Sequence, residues 1–368
     1  MAGKRGNGEG SIHQLPSGKW RAQATINGRR AGVVAETHKA AQEQLRKLLS
    51  DADKGLMPPV EKLTLAVHIE RWLADVVAHS VRASTRKNYG DLTRLYVLPT
   101  LGKVKLAQLQ PAHVQQLYTA LLDRGLAPKT VRNVHAALSR SLKQAVDWNL
   151  CPRNVATLVQ PPRVPRKEIQ VLSHDEVRVL LATVRGERWE ALMTIALATG
   201  MRFGELLGLK WADVELTRHT LHVQRQLQRD GTYAEPKTAK GRRKIDLPAS
   251  CVAVLKDHKR QQNEERLLVG PKWQPNDLVF CTYEGKPLGQ RNVFRAFKLI
   301  LTHAELPDIS FHALRHTAAT LLLLQGVHPK VVQERLGHSN IAMTLDIYSH
   351  LIPSMGRAAA DQLDALFA

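Results

Sequence analysis

The chain has 368 residues, 43% of them hydrophobic, which is enough for two or three domains with real cores and excludes a disordered polymer. Its 53 lysines and arginines stand against 33 aspartates and glutamates, and the formal charge of +20 points to a polyanionic partner. The start MAGKRGNGEG has no apolar signal core, the leucine run Leu321 to Leu324 is far too short to span a bilayer, and Cys151, Cys251 and Cys281 offer neither a disulfide framework nor a Cys-x-x-Cys zinc site, so a cytoplasmic protein that meets nucleic acid rather than membrane is expected.

Residues 10 to 35 carry turn signals at Pro16-Ser17-Gly18 and Asn27-Gly28 between short extended segments, and a helical pattern follows from Lys39 to about Asp53. This predicts a small three-stranded sheet packed on one helix, with a domain over residues 1–57. Lys19, Arg21, Arg29 and Arg30 fall on or beside the hairpins. A basic two-stranded ribbon can enter a major groove, but the same residues could be solvated surface charges, and the sequence leaves both open. GLMPP breaks the helix, and residues 58–63 form a linker.

Residues 64–160 read as an all-α module. Ser84 is the expected cap of one helix, and Pro111 and Pro128 stand in the first turns of two others. Arg82, Arg86, Lys87, Lys129, Arg132, Arg140 and Lys143 are its candidate phosphate contacts. Residues 161–169 combine prolines with basic residues in a second linker, extended by the one and able to follow phosphates through the other. Residues 170–368 are mixed, mainly helical, with a small antiparallel sheet between His219 and Pro248. The fold class is therefore multidomain α+β.

Five stretches of this last region carry chemistry. In ATGMRFGELLGLKW, Arg202 follows a helix-ending glycine, with Glu205 three residues on as an ion-pair partner; a purely structural pair would look the same. In EPKTAKGRRKI, Lys237, Lys240, Arg242, Arg243 and Lys244 crowd a predicted hairpin. In FHALRHTAAT, His312, Arg315 and His316 share one helical face. Two histidines four apart invite zinc, but the zincin pattern needs Glu where Ala313 stands. RLGHSN contributes His338 and TLDIYSH contributes Tyr348. A phosphodiester passing through five-coordinate phosphorus needs its non-bridging oxygens clamped, which two guanidiniums can do, while tyrosine, histidine and lysine supply nucleophile and proton transfer without a metal.

In order and spacing, Arg202, Lys237, His312 with Arg315, His338 and Tyr348 resemble the signature of tyrosine recombinases of the phage-integrase type. The resemblance implies an arm-type DNA-binding domain at the N-terminus, a helical core-binding domain and a catalytic domain. It implies that Tyr348 attacks a DNA phosphate to give a 3′-phosphotyrosyl link, that Arg202 and Arg315 hold the non-bridging oxygens, and that Lys237 protonates the leaving 5′-oxygen. His312 would assist proton transfer, His338 would hydrogen-bond the phosphate, Glu205 would orient Arg202, and His316 would support the fold. Many relatives carry Ser where Gly241 stands, and Lys240 puts a second lysine in the same hairpin. Lys240, Arg242 and Arg243 join the candidate DNA contacts.

The implied partners are double-stranded DNA with core-type and arm-type attachment sites, three further copies of the chain in a homotetramer, and accessory DNA-bending or directionality proteins. The host would be a bacterial cell, with the protein at its nucleoid. The phosphotyrosyl ester stores the bond energy, so no cofactor, ATP or metal is implied. The tail after Tyr348 has a helical pattern from about Met355, with Leu363, Leu366 and Phe367 available to bury in cis or on a neighbouring protomer. Two other functions remain in view. A type IB topoisomerase-like nicking and closing activity would use the same chemistry on one duplex, but the basic N-terminal unit speaks against it. A DNA-binding regulator that has kept the fold without catalysis would not need the full set of six residues.

Overall fold

The computed structural model describes residues 10–26, 29–53, 63–165, 170–236 and 241–338, with Asn340, Ile341, Leu345, Asp364 and Phe367. The chain divides into two compact units, Met1–Arg166 and Lys167–Ala368.

The first unit opens with β1 (Ser11–Gln14), β2 (Trp20–Ile26) and β3 (Arg29–Ala35), an antiparallel sheet in the order β1-β2-β3. At the first turn Gly18 takes φ +81°, and its N–H donates to the Leu15 carbonyl at 2.9 Å. Ile26 pairs with Arg29 across the second connection; Asn27 and Gly28 themselves lie outside the described residues. Along β2 the side chains alternate, so that Ala22 and Ala24 are buried while Arg21 and Thr25 are exposed. The buried alanines join Ala35, Ala41 and Leu45 in a small core beneath α1 (His38–Asp53).

A separate core serves the helical module. α2 (Leu65–Trp72) passes through a π-helical turn, Leu73–Val77, into α3 (Ala78–Ser80), and α4 (Ala83–Leu92) passes through a second, Thr93–Val97, into α5 (Leu98–Leu101). The Thr93 hydroxyl donates to the Tyr89 carbonyl at 2.8 Å where that second turn begins. α6 (Pro111–Asp123) and α7 (Pro128–Asp147) each carry proline at the helix start, where no backbone donor is needed. Ser84 is not the cap expected of it. The extended Arg82 ends the preceding turn, and its carbonyl accepts from Thr85 at 2.9 Å and Arg86 at 3.0 Å, which leaves Ser84 inside the first turn. Trp72, Tyr118, Leu138 and Leu142 fill the core, and His68, fully buried, donates its Nε2 proton to the Ser141 carbonyl at 2.9 Å.

The second unit begins with α8 (His174–Thr183), held by a reciprocal cap: Ser173 N–H donates to Glu176 Oε2 at 2.6 Å, and Glu176 N–H donates to Ser173 Oγ at 3.3 Å. α9 (Glu190–Thr199) is apolar around most of its circumference because it runs through the middle of the core, with Leu192, Met193, Ile195 and Ala196 all buried. α10 (Phe203–Leu207) is followed by β4 (Val214–Glu215) and β5 (Thr220–Val223), then by β6 (Gln226–Leu227) and β7 (Tyr233–Ala234), which flank the Asp230-Gly231 turn, and by β8 (Arg243–Asp246). β4, β5 and β8 form one antiparallel sheet, and β6 pairs with β7. α11 (Ala249–Val269) packs on α9. α12 (Gln290–His303), α13 (Phe311–Leu324) and α14 (Pro329–Leu336) follow. Leu138→Ala empties a fully buried position of the helical module, and a loss of about 2–5 kcal/mol is expected, measured as a lower urea midpoint of that module.

Candidate active site

Four short elements converge around the C-terminal end of α14. α9 ends at Gly200 in the left-handed region, φ +60°, and a Cβ there would lie 2.4 Å from a Leu336 methyl. Only glycine lets the end of α9 approach the end of α14 so closely. Two residues later Arg202 is the extended residue before α10, and Glu205 in the first turn accepts its backbone N–H at 3.0 Å and its guanidinium at 2.8 Å. Phe203 stacks on Phe294 with ring centroids 4.5 Å apart and tilts against Phe311 at 4.7 Å. That aromatic cluster fixes the start of α10 beside the start of α13, so Arg202 and His312 leave adjacent helix starts.

α14 ends at Gly337, φ +68°, and so leaves its last carbonyls without helical partners. Arginines take them in sequence. Arg243 Nε donates to the Arg335 carbonyl at 2.6 Å, Arg315 to that of Leu336 at 2.8 Å, and Arg202 to that of Gly337 at 3.0 Å. Arg315, 4% exposed, also donates to the Gly200 carbonyl at 2.7 Å. The carbonyls sit at the negative end of the α14 dipole, which favours the cations. Arg202 keeps 29% of its side chain exposed, so of the three it is the most open to a ligand.

Glu205 lies beneath this layer, 1% exposed. Burial opposes its ionisation, but Arg243 and Arg202 outweigh burial and hold the carboxyl below its usual range. The three residues form a buried Arg202–Glu205–Arg243 ion triad.

The histidines are kept neutral. Enclosure in protein lowers the His338 pKa to about 3, reinforced by Arg315 and Arg202. The backbone of His338 is locked to Gln333, whose side-chain amide donates to the His338 carbonyl at 3.1 Å. His316 is lowered to about 4 by burial and then by His312 and Arg315. His312 is also lowered, first by the protein packed around it and then by Arg315 and Arg202, although its edge is exposed. The His312 and His316 rings meet edge-on at 4.9 Å. A neutral imidazole has one donor and one acceptor nitrogen, so this group can pass a proton as well as bond an anion.

The predicted set thus falls into three parts. Arg202, Glu205, His312, Arg315, His316 and His338 are brought together. Lys237, Lys240 and Tyr348 lie outside the described residues, as do Leu363 and Leu366 of the tail, while Phe367 is 82% exposed. Arg243, expected as a DNA contact, is corrected: only 6% of its side chain is exposed, and each of its three guanidinium nitrogens donates to a protein group, at Glu205, Arg335 and Gly241. The cause is strand alternation, since Arg243 shares the inward face of β8 with buried Ile245 while Arg242 and Lys244 point outward. That period of two was available in RRKID and would have found it. Arg335 was missed as well; it ties α14 to the Ala198 carbonyl at 2.8 Å and the Asp246 carbonyl at 3.1 Å.

Of the remaining basic candidates, Arg82, Arg86 and Lys87 are exposed on or beside α4. Lys129, Arg132, Arg140 and Lys143 are exposed at spacings that put them on one stripe of α7. Arg242 is exposed and paired with Glu235, and Lys19 is exposed and paired with Glu36 at 2.6 Å. Arg21 is exposed on the sheet; the Arg29 and Arg30 side chains lie outside the description. Gly241 has a steric reason, because a Cβ there would lie 2.4 Å from Pro236 Cβ. Among the described residues no group of three or more His, Cys, Asp or Glu could hold a metal, and no helix is long and apolar enough to cross a membrane.

Comparison with known proteins agrees with this architecture. The phage integrase family model matches residues 170–354, and the model of the phage integrase N-terminal SAM-like domain matches residues 64–122. A tyrosine recombinase XerC-like protein of Caldanaerobacter subterraneus is 32% identical over 361 residues, covering 92% of each chain. Among solved structures, the Tn1549 transposon integrase in complex with a circular intermediate DNA superposes with a TM-score of 0.71 at 22% identity, over 82% of this chain and 99% of that one. A lambda integrase tetramer bound to a Holliday junction gives 0.59 at 17% identity, over 94% and 96%. The chain belongs to the phage integrase family and is a tyrosine recombinase.

Two outcomes follow from the geometry. Gly200→Ala places a Cβ against Leu336 in a left-handed conformation, and a loss of roughly 2 kcal/mol or more is expected, read as a lower thermal midpoint. Acid provides the second. His338 and His316 have folded pKa values of about 3 and about 4, below those of the unfolded chain. Protons therefore favour the unfolded state as pH falls below about 6.5, at a cost of roughly 1–2 kcal/mol per histidine by pH 5. His338→Asn should flatten the fall in thermal midpoint between neutral pH and about pH 5.

Proposed function

We propose that the chain is a site-specific integrase that cuts and rejoins double-stranded DNA through Tyr348, with Arg202 and Arg315 clamping the scissile phosphate. The observation that carries this is the anchoring of both guanidiniums on adjacent carbonyls, Gly337 and Leu336, with His312 and His338 beside them. Each arginine is held from behind, so it need not reorganise when negative charge builds up on phosphorus.

In the proposed step, Tyr348 Oη bonds to phosphorus and the bond from phosphorus to the 5′-oxygen breaks. The tyrosine proton leaves toward neutral His312, and Lys237 gives a proton to the departing 5′-oxygen. His338 donates to a non-bridging oxygen. The incoming phosphate offsets the arginine charges that depress both histidines, so their proton affinity rises once DNA is bound. Ligation reverses the step onto a second 5′-hydroxyl, and the ester conserves the energy.

The proposal extends to three functional regions: 1–57 as arm-type domain, 64–160 as core-binding domain and 170–368 as catalytic domain. The exposed sheet face with Arg21 and the basic stripe on α7 are the proposed DNA surfaces of the first two. A homotetramer on two duplexes is proposed by analogy with the lambda assembly. Accessory DNA-bending or directionality proteins, and a site of action in the bacterial cytoplasm, belong to the same proposal.

A nicked suicide duplex carrying the attachment site tests it. Wild type should form a covalent adduct and Tyr348→Phe none, with DNA binding within about twofold of wild type. Tight binding with no wild-type adduct would leave a DNA-binding regulator. Adduct formation with supercoil relaxation, but no joining of two marked duplexes, would favour a topoisomerase.

A further inference from the structure

We infer that Arg243 is a positioning residue for strand cleavage, holding the Arg202 clamp through Glu205 and tying it to the Gly241 backbone and the end of α14; this rests on the recombinase function proposed above.

One guanidinium makes all the connections. Its Nη2 donates to Glu205 Oε2 at 3.0 Å, and the other oxygen of that carboxylate receives Arg202 at 2.8 Å. Its Nη1 donates to the carbonyl of Gly241, the first described residue after Lys237, at 3.0 Å. Its Nε donates to the Arg335 carbonyl at 2.6 Å, beside the carbonyls that hold Arg315 and Arg202. Gly241 itself lies against Pro236, the last described residue before Lys237. Arg243 therefore fixes three things together: the carboxylate that aims Arg202, the Gly241 backbone, and the end of α14. A lysine at this position could neutralise Glu205 but could not also bridge Gly241 and Arg335, because the ammonium lacks the planar fork.

Glu205 supplies a signature that a merely structural role would lack. The charged groups facing it are Arg202 from the start of α10 and Arg243 from β8, with His338 next to Arg243 beyond α14. Removing Arg243 leaves the carboxyl buried with one cation instead of two, so its pKa rises. A protonated Glu205 no longer holds Arg202 as an ion pair.

The test measures single-turnover adduct formation on the suicide duplex, alongside DNA affinity and its salt dependence, for wild type, Arg243→Gln and Arg243→Lys. Arg243→Gln should cut the rate at saturating DNA by about 10- to 100-fold near neutral pH. Affinity and salt slope should stay unchanged, and the deficit should shrink as pH is raised from about 6 to about 9. Arg243→Lys, which keeps a cation in the core, should remain slow but lose that extra pH dependence. Weaker binding with a shallower salt slope and a normal rate would overturn the inference in favour of an ordinary phosphate contact. A normal rate in both variants would also overturn it. So would a rate loss independent of pH that parallels a drop in thermal midpoint in both. If wild type itself forms no adduct, the recombinase proposal fails first and this one falls with it.

Discussion

The candidate active site depends on a helix that stops early. α14 is only eight residues long, and its glycine stop leaves carbonyls pointing toward the places where cations are required. Each charge-assisted bond from guanidinium to carbonyl contributes roughly 1.5–3 kcal/mol, and the helix dipole adds to them. The helix end does more than satisfy itself. It gathers arginines from α10, β8 and α13, elements far apart in sequence, and sets their spacing by the rise of a single chain. Glu205 then neutralises two of them from below and prevents them from repelling one another apart.

That arrangement has an electrostatic corollary. Burial first, and then the neighbouring cationic and imidazole groups, make the histidines resist protonation, and both His338 and His316 are pushed far below their ordinary range. The same guanidiniums favour an anion beside them. In the proposed reaction a DNA phosphate would supply negative charge beside the histidines and raise their proton affinities.

Much of this was legible in the sequence. The Pro-Ser-Gly turn, the Ser173 cap with Glu176, the prolines opening α6 and α7, and the apolar run ending at Gly200 each encode a local rule that tertiary packing left intact. Arg202 with Glu205, and His312 with Arg315, could be paired because three- and four-residue helical spacing is written into the chain. Less legible were contacts made through backbone. Nothing in RLGHSN announces that the carbonyls before His338 will receive guanidiniums from three other elements. Arg243 shows the other kind of failure. Its neighbours Arg242 and Lys244 are exposed, and a run of positive charge read as one surface hid the single member that strand alternation turns inward. Ser84 failed for a similar reason, since a good capping residue was outcompeted by an extended Arg82 one turn edge earlier.

The acceptors at the end of α14 belong to the main chain, and this bears on how the site can change over generations. A side-chain ligand is lost with one codon, whereas the carbonyls of Arg335 and Leu336 survive replacement of either residue by almost any other. Only a change in the path of the chain removes them, and Gly337, with its φ of +68°, is the place where that path is set. The backbone acceptors can therefore persist while the letters around them drift.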